Sequence, residues 1–360
     1  MRSLFSSLSL SDDVSMPPRS TLCVTSLGRS VDIQGVMGAP NASFQEHAPD
    51  AAAVASGWKL QSVEESDSTV TVDVTEVKTY HPHQQQSAFG RLTAFIPDKW
   101  INVKLYSPEG AGSFKVGRVN EADFEACTGG GSLEVGSIKA GEAVINTEGG
   151  SLKGRELSAS EVRVETREGA VELQRFVALH GAIKSASAVN VTVVYGETVS
   201  VESGGSTISI GNLDCSTSAS LLSHGGHITV NGLDGRAHID SAGGDIKVYL
   251  SSGVADVHVR SQGGDIDLIV NPDAKLHIHV SDVDGVRDSL TAGAAEASGG
   301  AAAAAAAAAR IMTGAVVSIA AAARIMIDPV VAIASVARDG TLPPGSSLHC
   351  HSTSATIRLA

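Results

Sequence analysis

One pattern limits the fold of this chain more than any other: a glycine pair that returns about every 20 residues. The sequence reads Thr-Gly-Gly-Gly-Ser-Leu at 128–133, Thr-Glu-Gly-Gly-Ser-Leu at 147–152 and Thr-Arg-Glu-Gly-Ala-Val at 166–171. It resumes as Glu-Ser-Gly-Gly-Ser-Thr-Ile at 202–208, Ser-His-Gly-Gly-His-Ile at 223–228, Ser-Ala-Gly-Gly-Asp-Ile at 241–246 and Ser-Gln-Gly-Gly-Asp-Ile at 261–266. Taking the second glycine as marker gives 130, 150, 169, 205, 226, 244 and 264, with steps of 20, 19, 36, 21, 18 and 20. The long step is two turns, one of them degenerate near Lys184. A period of this length is what stacked solenoid turns produce.

The residues between the turns support that reading. Ile246, Val248 and Leu250 alternate with polar neighbours, and after Ser251-Ser252-Gly253 so do Val257 and Val259. The next copy repeats this with Ile266, Leu268 and Val270, then Asn271-Pro272-Asp273, then Leu276, Ile278 and Val280. Period-two alternation marks a half-buried strand, so each rung is expected to hold two strands with one wet face. Rungs would stack about 4.8 Å apart. The turn glycines (Gly129, Gly130, Gly149, Gly150, Gly204, Gly205, Gly225, Gly226, Gly243, Gly244, Gly263 and Gly264) supply positive φ and a missing Cβ where another turn lies directly above. The fold class is therefore all-β, a repeat β-solenoid with rungs of about 20 residues. The alternative is an antiparallel β meander or sandwich, although hairpins do not need the same turn residues at a fixed period.

Composition agrees. Apolar residues make up 42% of the 360, enough for a sizeable core, but aromatics only 4%. The core must be Val, Ile, Leu and Ala, which suit a narrow stacked interior. The net charge of −13, without a basic cluster, disfavours nucleic acid. Cys23, Cys127, Cys215 and Cys350 are far apart, forming neither a disulfide framework nor a zinc knuckle; isolated thiols suit a reducing compartment.

Around the repeats the sequence predicts five segments. Residues 1–55 lack a sustained period and read as a disordered or loosely attached leader. Alternating stretches at 68–74, 92–97 and 101–105 make 56–127 the N-terminal strands that cap the solenoid. The repeats occupy 128–283. Ala-rich low-complexity sequence over 284–343 predicts a partly helical insertion, and 344–360 alternates again as C-terminal strands. The longest uncharged apolar stretch, 311–323, is 13 residues against about 20 for a membrane span. The N-terminus has no continuous apolar signal; its Ser-rich run with sparse Arg leaves mitochondrial or other organellar import open. A soluble intracellular protein is expected.

The Gly-Gly-Ser-Leu and Gly-Gly-Asp-Ile repeats followed by Val-x-Val strands resemble an adhesin-like domain of unknown function found in bacteria. They also resemble an uncharacterised eukaryotic "family with sequence similarity" group that carries it. The stretch 261–280 is the part most like that domain, and the resemblance covers about 57–283 and part of 344–360. It implies a β-solenoid without established catalytic residues and, for eukaryotic members, a mitochondrial association. The adhesin name does not transfer, and the Ala-rich insertion departs from the pattern.

Candidate chemistry lies on the outward positions. His238, His258 and His277 occupy equivalent positions in three successive rungs, with His279 and Asp240 close by. Stacked about 5 Å apart, they could share a metal or oppose one another's protonation; the plainer reading is a solvated strand face. Asp245 and Asp265 follow Gly-Gly as in calcium β-rolls but lack the Gly-x-Asp spacing, so they read as turn caps. Asp256, Asp267, Arg260, Lys247 and Tyr249 lie where a polysaccharide-cleaving β-helix would carry its acid and base. His81 and His83, and the Leu-His-Cys-His run at 348–351, are short, isolated His clusters. Neither Walker, Rossmann, nucleophile-elbow nor His-Glu-x-x-His motifs occur.

The expectation is a non-catalytic scaffold or interaction protein of the adhesin-like family, with no cofactor and a protein or glycan partner on the solenoid face. A carbohydrate-active β-helix enzyme and a metal-binding module built on the His ladder are the alternatives.

Overall fold

The structure, a computed structural model, describes residues 14–26, 30–47, 58–61, 69–76, 91–108, 112–271, 278–282, 309–321 and 346–359. The described residues are all-β, with no helix. They fall into two compact units, Met1–Ser185 and Ala186–Ala360.

The first unit holds strands β1 (Val14–Ser15), β2 (Thr21–Ser26), β3 (Ser30–Val36), β4 (Asn41–His47), β5 (Trp58–Gln61), β6 (Thr69–Glu76), β7 (Arg91–Pro97), β8 (Asn102–Tyr106), β9 (Phe114–Cys127), β10 (Leu133–Asn146), β11 (Leu152–Arg167) and β12 (Val171–Ser185). The last four are whole rungs. Phe114, Leu133, Leu152 and Val171 are successive register partners, and neighbouring strands run parallel. The offset is 19 residues at each step. Parallel pairing of consecutive strands excludes the antiparallel meander, which joins neighbours by hairpins.

Within a rung the inward set is not a simple alternation. In β11, Leu152, Gly154, Leu157, Val162, Val164 and Thr166 point inward. The three-residue step from Gly154 to Leu157 and the five-residue step to Val162 are bends. They reverse the side-chain phase, so the wall can fold round a core and still bury one side. Stacked columns such as Val119–Ile138–Leu157–Phe176 fill that core. The second unit follows the same plan with β13 (Val189–Ser203), β14 (Ile208–Leu222), β15 (Ile228–Asp240), β16 (Ile246–Arg260) and β17 (Asp265–Val270). Its offsets of 19, 20, 18 and 20 are read from Val189, Ile208, Ile228, Ile246 and Ile266.

Two strands per rung were expected. Instead the backbone stays extended from one turn to the next, and β16 runs through Ser251, Ser252 and Gly253 as one 15-residue strand. The inward residues are as read: Ile246, Val248, Leu250, Val257, Val259, Ile266, Leu268 and Val270 are all at most 3% exposed. Leu276 lies outside the described residues.

The turns divide their work. Gly149 has φ 126° with open space around its missing Cβ, so it serves the backbone. Gly150 serves the stack: a Cβ there would sit 1.9 Å from the Gly131 carbonyl oxygen of the rung below. Position is fixed by a third element, a buried hydroxyl three residues before the stacking residue. Thr128, Thr147 and Thr166 donate to the carbonyls of Gly131, Gly150 and Gly169 in the first unit. Ser203, Ser223 and Ser241 donate to Ser206, Gly226 and Gly244 in the second. Counted by these hydroxyls, Thr128, Thr147, Thr166 and Ser185 are 19 apart. The uneven early steps came from marking Gly130 where Gly131 is the stacking residue. The degenerate turn near Lys184 is real: Ser185 occupies its hydroxyl position, buried, and donates to the Gly169 carbonyl at 2.9 Å.

The N-terminal end departs most from expectation. Residues within 1–55, read as a loose leader, form β1–β4 and bury Leu22, Val24, Val31, Ile33 and Phe44. Strand β3 lies on the first part of β9, and β8 on its last part. Below them β7 lies on β3 and β2 on β8, all parallel. Strand β6 then extends the β2 side, while β4 closes β7 and β5 closes β6 in antiparallel fashion. Each end rung is therefore assembled from strands distant in sequence, which is why no local period announces them.

In the second unit, β18 (Ile278–Asp282), β19 (Ala309–Ala321) and β20 (Ser346–Leu359) complete the described chain. Strand β20 runs parallel to the end of β16 and to β17. The described part of the Ala-rich segment, β19, is not helical: it pairs antiparallel with β18 and β20. An open strand edge offers a full row of backbone partners, which outweighs alanine's helix preference there. The rest of 284–343 lies outside the described residues.

Candidate functional site

Two outward features stand out, one in each unit. In the second unit, His238 and His258 are register partners on β15 and β16, their ring centroids 6.2 Å apart and tilted by 43°. They stand on the solvent side because Ala237, Ile239, Val257 and Val259 take the buried positions beside them. The His258 Nε2 lies 3.8 Å from Asp256 Oδ1. Arg236 is the register partner of Asp256, and Asp240 of Arg260, so charges of opposite sign flank the rings on both sides.

The third predicted member, His277, lies outside the described residues. The backbone register puts a different histidine next in the column: His349 of β20 is the partner of His258, and His351 of Arg260. His279, in β18, is a register partner of His349. The Leu-His-Cys-His run is thus part of a strand rather than an isolated terminus. His81 and His83 lie outside the described residues. Among the described side chains, no three His, Cys, Asp or Glu converge on one point.

The other predicted candidates separate. Asp256 lies in the second half of its rung, whereas Asp267 is the register partner of Lys247 in the first half. Tyr249 is paired with Ile269. The turn aspartates act between rungs: Asp245 Oδ1 accepts the Asp265 backbone N–H at 2.9 Å, and His227 Nδ1 accepts that of Asp245 at 3.1 Å.

The first unit carries a feature that the sequence did not reveal. Trp100, in the link between β7 and β8, is 48% exposed yet held in the left-handed region at φ 61°. Such a backbone is rare for a bulky residue and persists only where the surroundings impose it. They do so here. The Trp100 N–H donates to the Asn120 carbonyl at 3.0 Å, and its carbonyl accepts the Arg19 N–H at 2.7 Å. Arg19 and Glu121 are themselves left-handed, at φ 71° and 56°. The Lys99 ammonium lies 3.1 Å from Glu121 and 5.8 Å from the indole centroid. Hydrogen bonds from Lys99 and then from Trp100 hold the Glu121 carboxyl below its usual pKa. Nearby in the chain fold, Val36 accepts the Asp98 N–H, and Met37 beside it is 78% exposed. No spacing rule marks this site, because its meaning lies in backbone angles.

Among the described residues no helix is long and apolar enough to cross a membrane. A search of curated proteins found no match. Residues 50–188 match the Toastrack DUF4097 family model, a domain of unknown function; the match takes in β5–β8 and the rungs β9–β12 of the first unit.

Proposed function

We propose that this chain is a non-catalytic β-solenoid scaffold that engages a protein or glycan partner through the Trp100 corner of its first unit. The observation that carries the reading is the imposed left-handed backbone of a half-exposed tryptophan. Strain of this kind costs about 1–3 kcal/mol and gathers where a surface is used. Tryptophan and arginine are also the residues most often found at the energetic centre of interfaces. Lys99, Glu121 and Arg19 give the indole a polar rim, suited to hydrogen bonds with a peptide backbone or sugar hydroxyls. The scattered carboxylates of the second unit favour a scaffold over a glycan-cleaving enzyme, since Asp256 and Asp267 occupy different halves of their rungs.

The test is a comparison of the full chain with Trp100→Ala, and with Leu179→Ala as a control at another exposed apolar position. Affinity capture from native lysate and a glycan array are read side by side. The expected result is loss of a partner or glycan signal in Trp100→Ala alone, with unchanged circular dichroism and Tm. An identical binding profile in all three proteins would falsify the assignment.

A further inference from the structure

We propose that the occupant of the Trp100 corner is a protein segment that offers an apolar side chain beside a carboxylate. The inference rests on the reading of that corner as a binding surface and narrows its partner to one chemistry.

Three links of the first unit meet there. Arg19 precedes β2, Met37 follows the last residue of β3, and Asp98, Lys99 and Trp100 lie between β7 and β8. Backbone hydrogen bonds hold them together: the Arg19 N–H donates to the Trp100 carbonyl at 2.7 Å, and the Asp98 N–H to the Val36 carbonyl at 3.2 Å. Val36, Met37 and Trp100 are three of the six large apolar side chains exposed among the described residues. Apolar groups gathered in this way on a polar surface mark a contact site.

The polar groups around the indole decide what it can receive. Its N–H donates to Glu121, and the Lys99 ammonium lies 3.1 Å from the same carboxylate. The ring is thus pinned by its edge, and a side chain already held loses little freedom on binding. Asp32 and Asp98 are buried and bonded to Gln34 and Asn120. Arg19 and Arg118 differ. Both are exposed, and among the described residues neither guanidinium has a hydrogen-bond or salt-bridge partner. Arg118 lies in the rung next to Gly35, where a Cβ would come 2.3 Å from the Arg118 carbonyl oxygen. In a chain with 39 acidic and 26 basic residues, two open guanidinium groups beside an apolar patch are complementary to a carboxylate, which each can grip through parallel N–H donors.

The same residues favour a protein over a glycan. Met37 and Val36 have no group that bonds a sugar hydroxyl, whereas Trp, Met and Arg together are enriched at protein–protein interfaces.

Selection of a phage-displayed random peptide library on the full chain tests the proposal, with a glycan array and vesicles of phosphatidylcholine and phosphatidylserine as parallel arms. The Tm of every variant is measured; Met37→Ser, at an exposed position, keeps the test open if Trp100→Ala does not fold. Selected peptides are expected to place Asp or Glu beside Leu, Ile or Phe. Trp100→Ala should weaken them at least about tenfold, as truncation at the centre of an interface does, and Met37→Ser should weaken them less. Arg19→Glu should reject these peptides and accept analogues with Lys in place of the acid. Peptides that need Trp100 but bind equally well to Arg19→Glu and Arg118→Glu overturn the acidic partner and leave the Trp100 site standing. So does a glycan signal lost in Trp100→Ala without any peptide, or vesicle binding lost in Met37→Ser. If no ligand in any arm depends on Trp100, both readings fall.

Discussion

The Thr166 hydroxyl donates to the Gly169 carbonyl at 2.5 Å, and the Ser185 hydroxyl of the next rung reaches the same oxygen at 2.9 Å. One buried carbonyl is thus shared by two successive turns, which couples the shape of each turn to its place in the stack. Thr166→Val keeps the shape and removes the donor. The expected cost is about 1–2 kcal/mol, within the range for a buried hydrogen bond, and Thr166→Ser should recover most of it. Urea denaturation of the three proteins measures this; equal midpoints would show that the hydroxyl is dispensable.

The two glycines of a turn should fail differently. Gly149→Ala meets no atom but is held at φ 126°, so its cost is backbone strain of about 1–3 kcal/mol. Gly150→Ala drives a Cβ to 1.9 Å from the Gly131 carbonyl oxygen, which only separation of the rungs relieves. Its cost should exceed that of Gly149→Ala. Thermal denaturation of both variants checks the order, and the reverse order would contradict the division of labour.

Cys215 is buried, and that burial, assisted by the neighbouring Asp214 charge, raises its thiol from 9.0 to about 12. Native protein at pH 8 should react with a thiol reagent at the partly exposed Cys127 well before Cys215. The linkage follows from the sign of the shift. A thiol neutral in the folded state and ionised in the unfolded state binds more protons when folded, so stability is lost as pH rises. The contribution is complete below about pH 9 and declines toward pH 12. Cys215→Ala should flatten that decline in a series of urea midpoints.

Lys115, Glu134, Lys153 and Glu172 form one outward column of alternating sign, with contacts of 2.8 Å between the first two and 3.3 Å between the last two. All four are about half exposed or more, so the pairs contribute little each. Lys153→Glu places three carboxylates in succession. It should cost under about 1 kcal/mol at low salt and almost nothing at 1 M salt, where the screening length is about 3 Å. A salt-independent loss would point to packing of the Lys153 stem instead.

Much of the repeat fold was legible because a stacked turn tolerates so few residues. Gly-Gly at a period near 20 forced the solenoid, and the apolar positions of β16 and β17 followed from alternation alone. The exact register was not legible from glycine, since Ser206 occupies the stacking position in one turn and Gly131, not Gly130, in another. A buried serine or threonine carries it, and these are too common to be noticed singly. Strands β2 and β3 carry no legible period because each offers only two inward apolar residues and finds its partners in β6, β7, β8 and β9. The adjacency of His238 and His258 could be read by counting rungs. That of His258 and His349 could not, because the intervening chain leaves the repeat. Trp100 has no signature in the sequence: its singularity is an angle, not a composition.

The shared offset of 19 residues from β9 to β12 has an evolutionary corollary. Because Phe114, Leu133, Leu152 and Val171 are interchangeable in role, the interior of the first unit can grow or shrink by a whole rung without disturbing a single neighbour relation. A one-residue insertion there would instead need a bulge to restore the inward phase, of the kind that the register shifts between β15 and β16 show. The interwoven strands β2, β3, β7 and β8 permit neither change, since each completes a rung begun elsewhere in the chain. Variation in length among related chains should therefore be quantised in the middle and forbidden at that end.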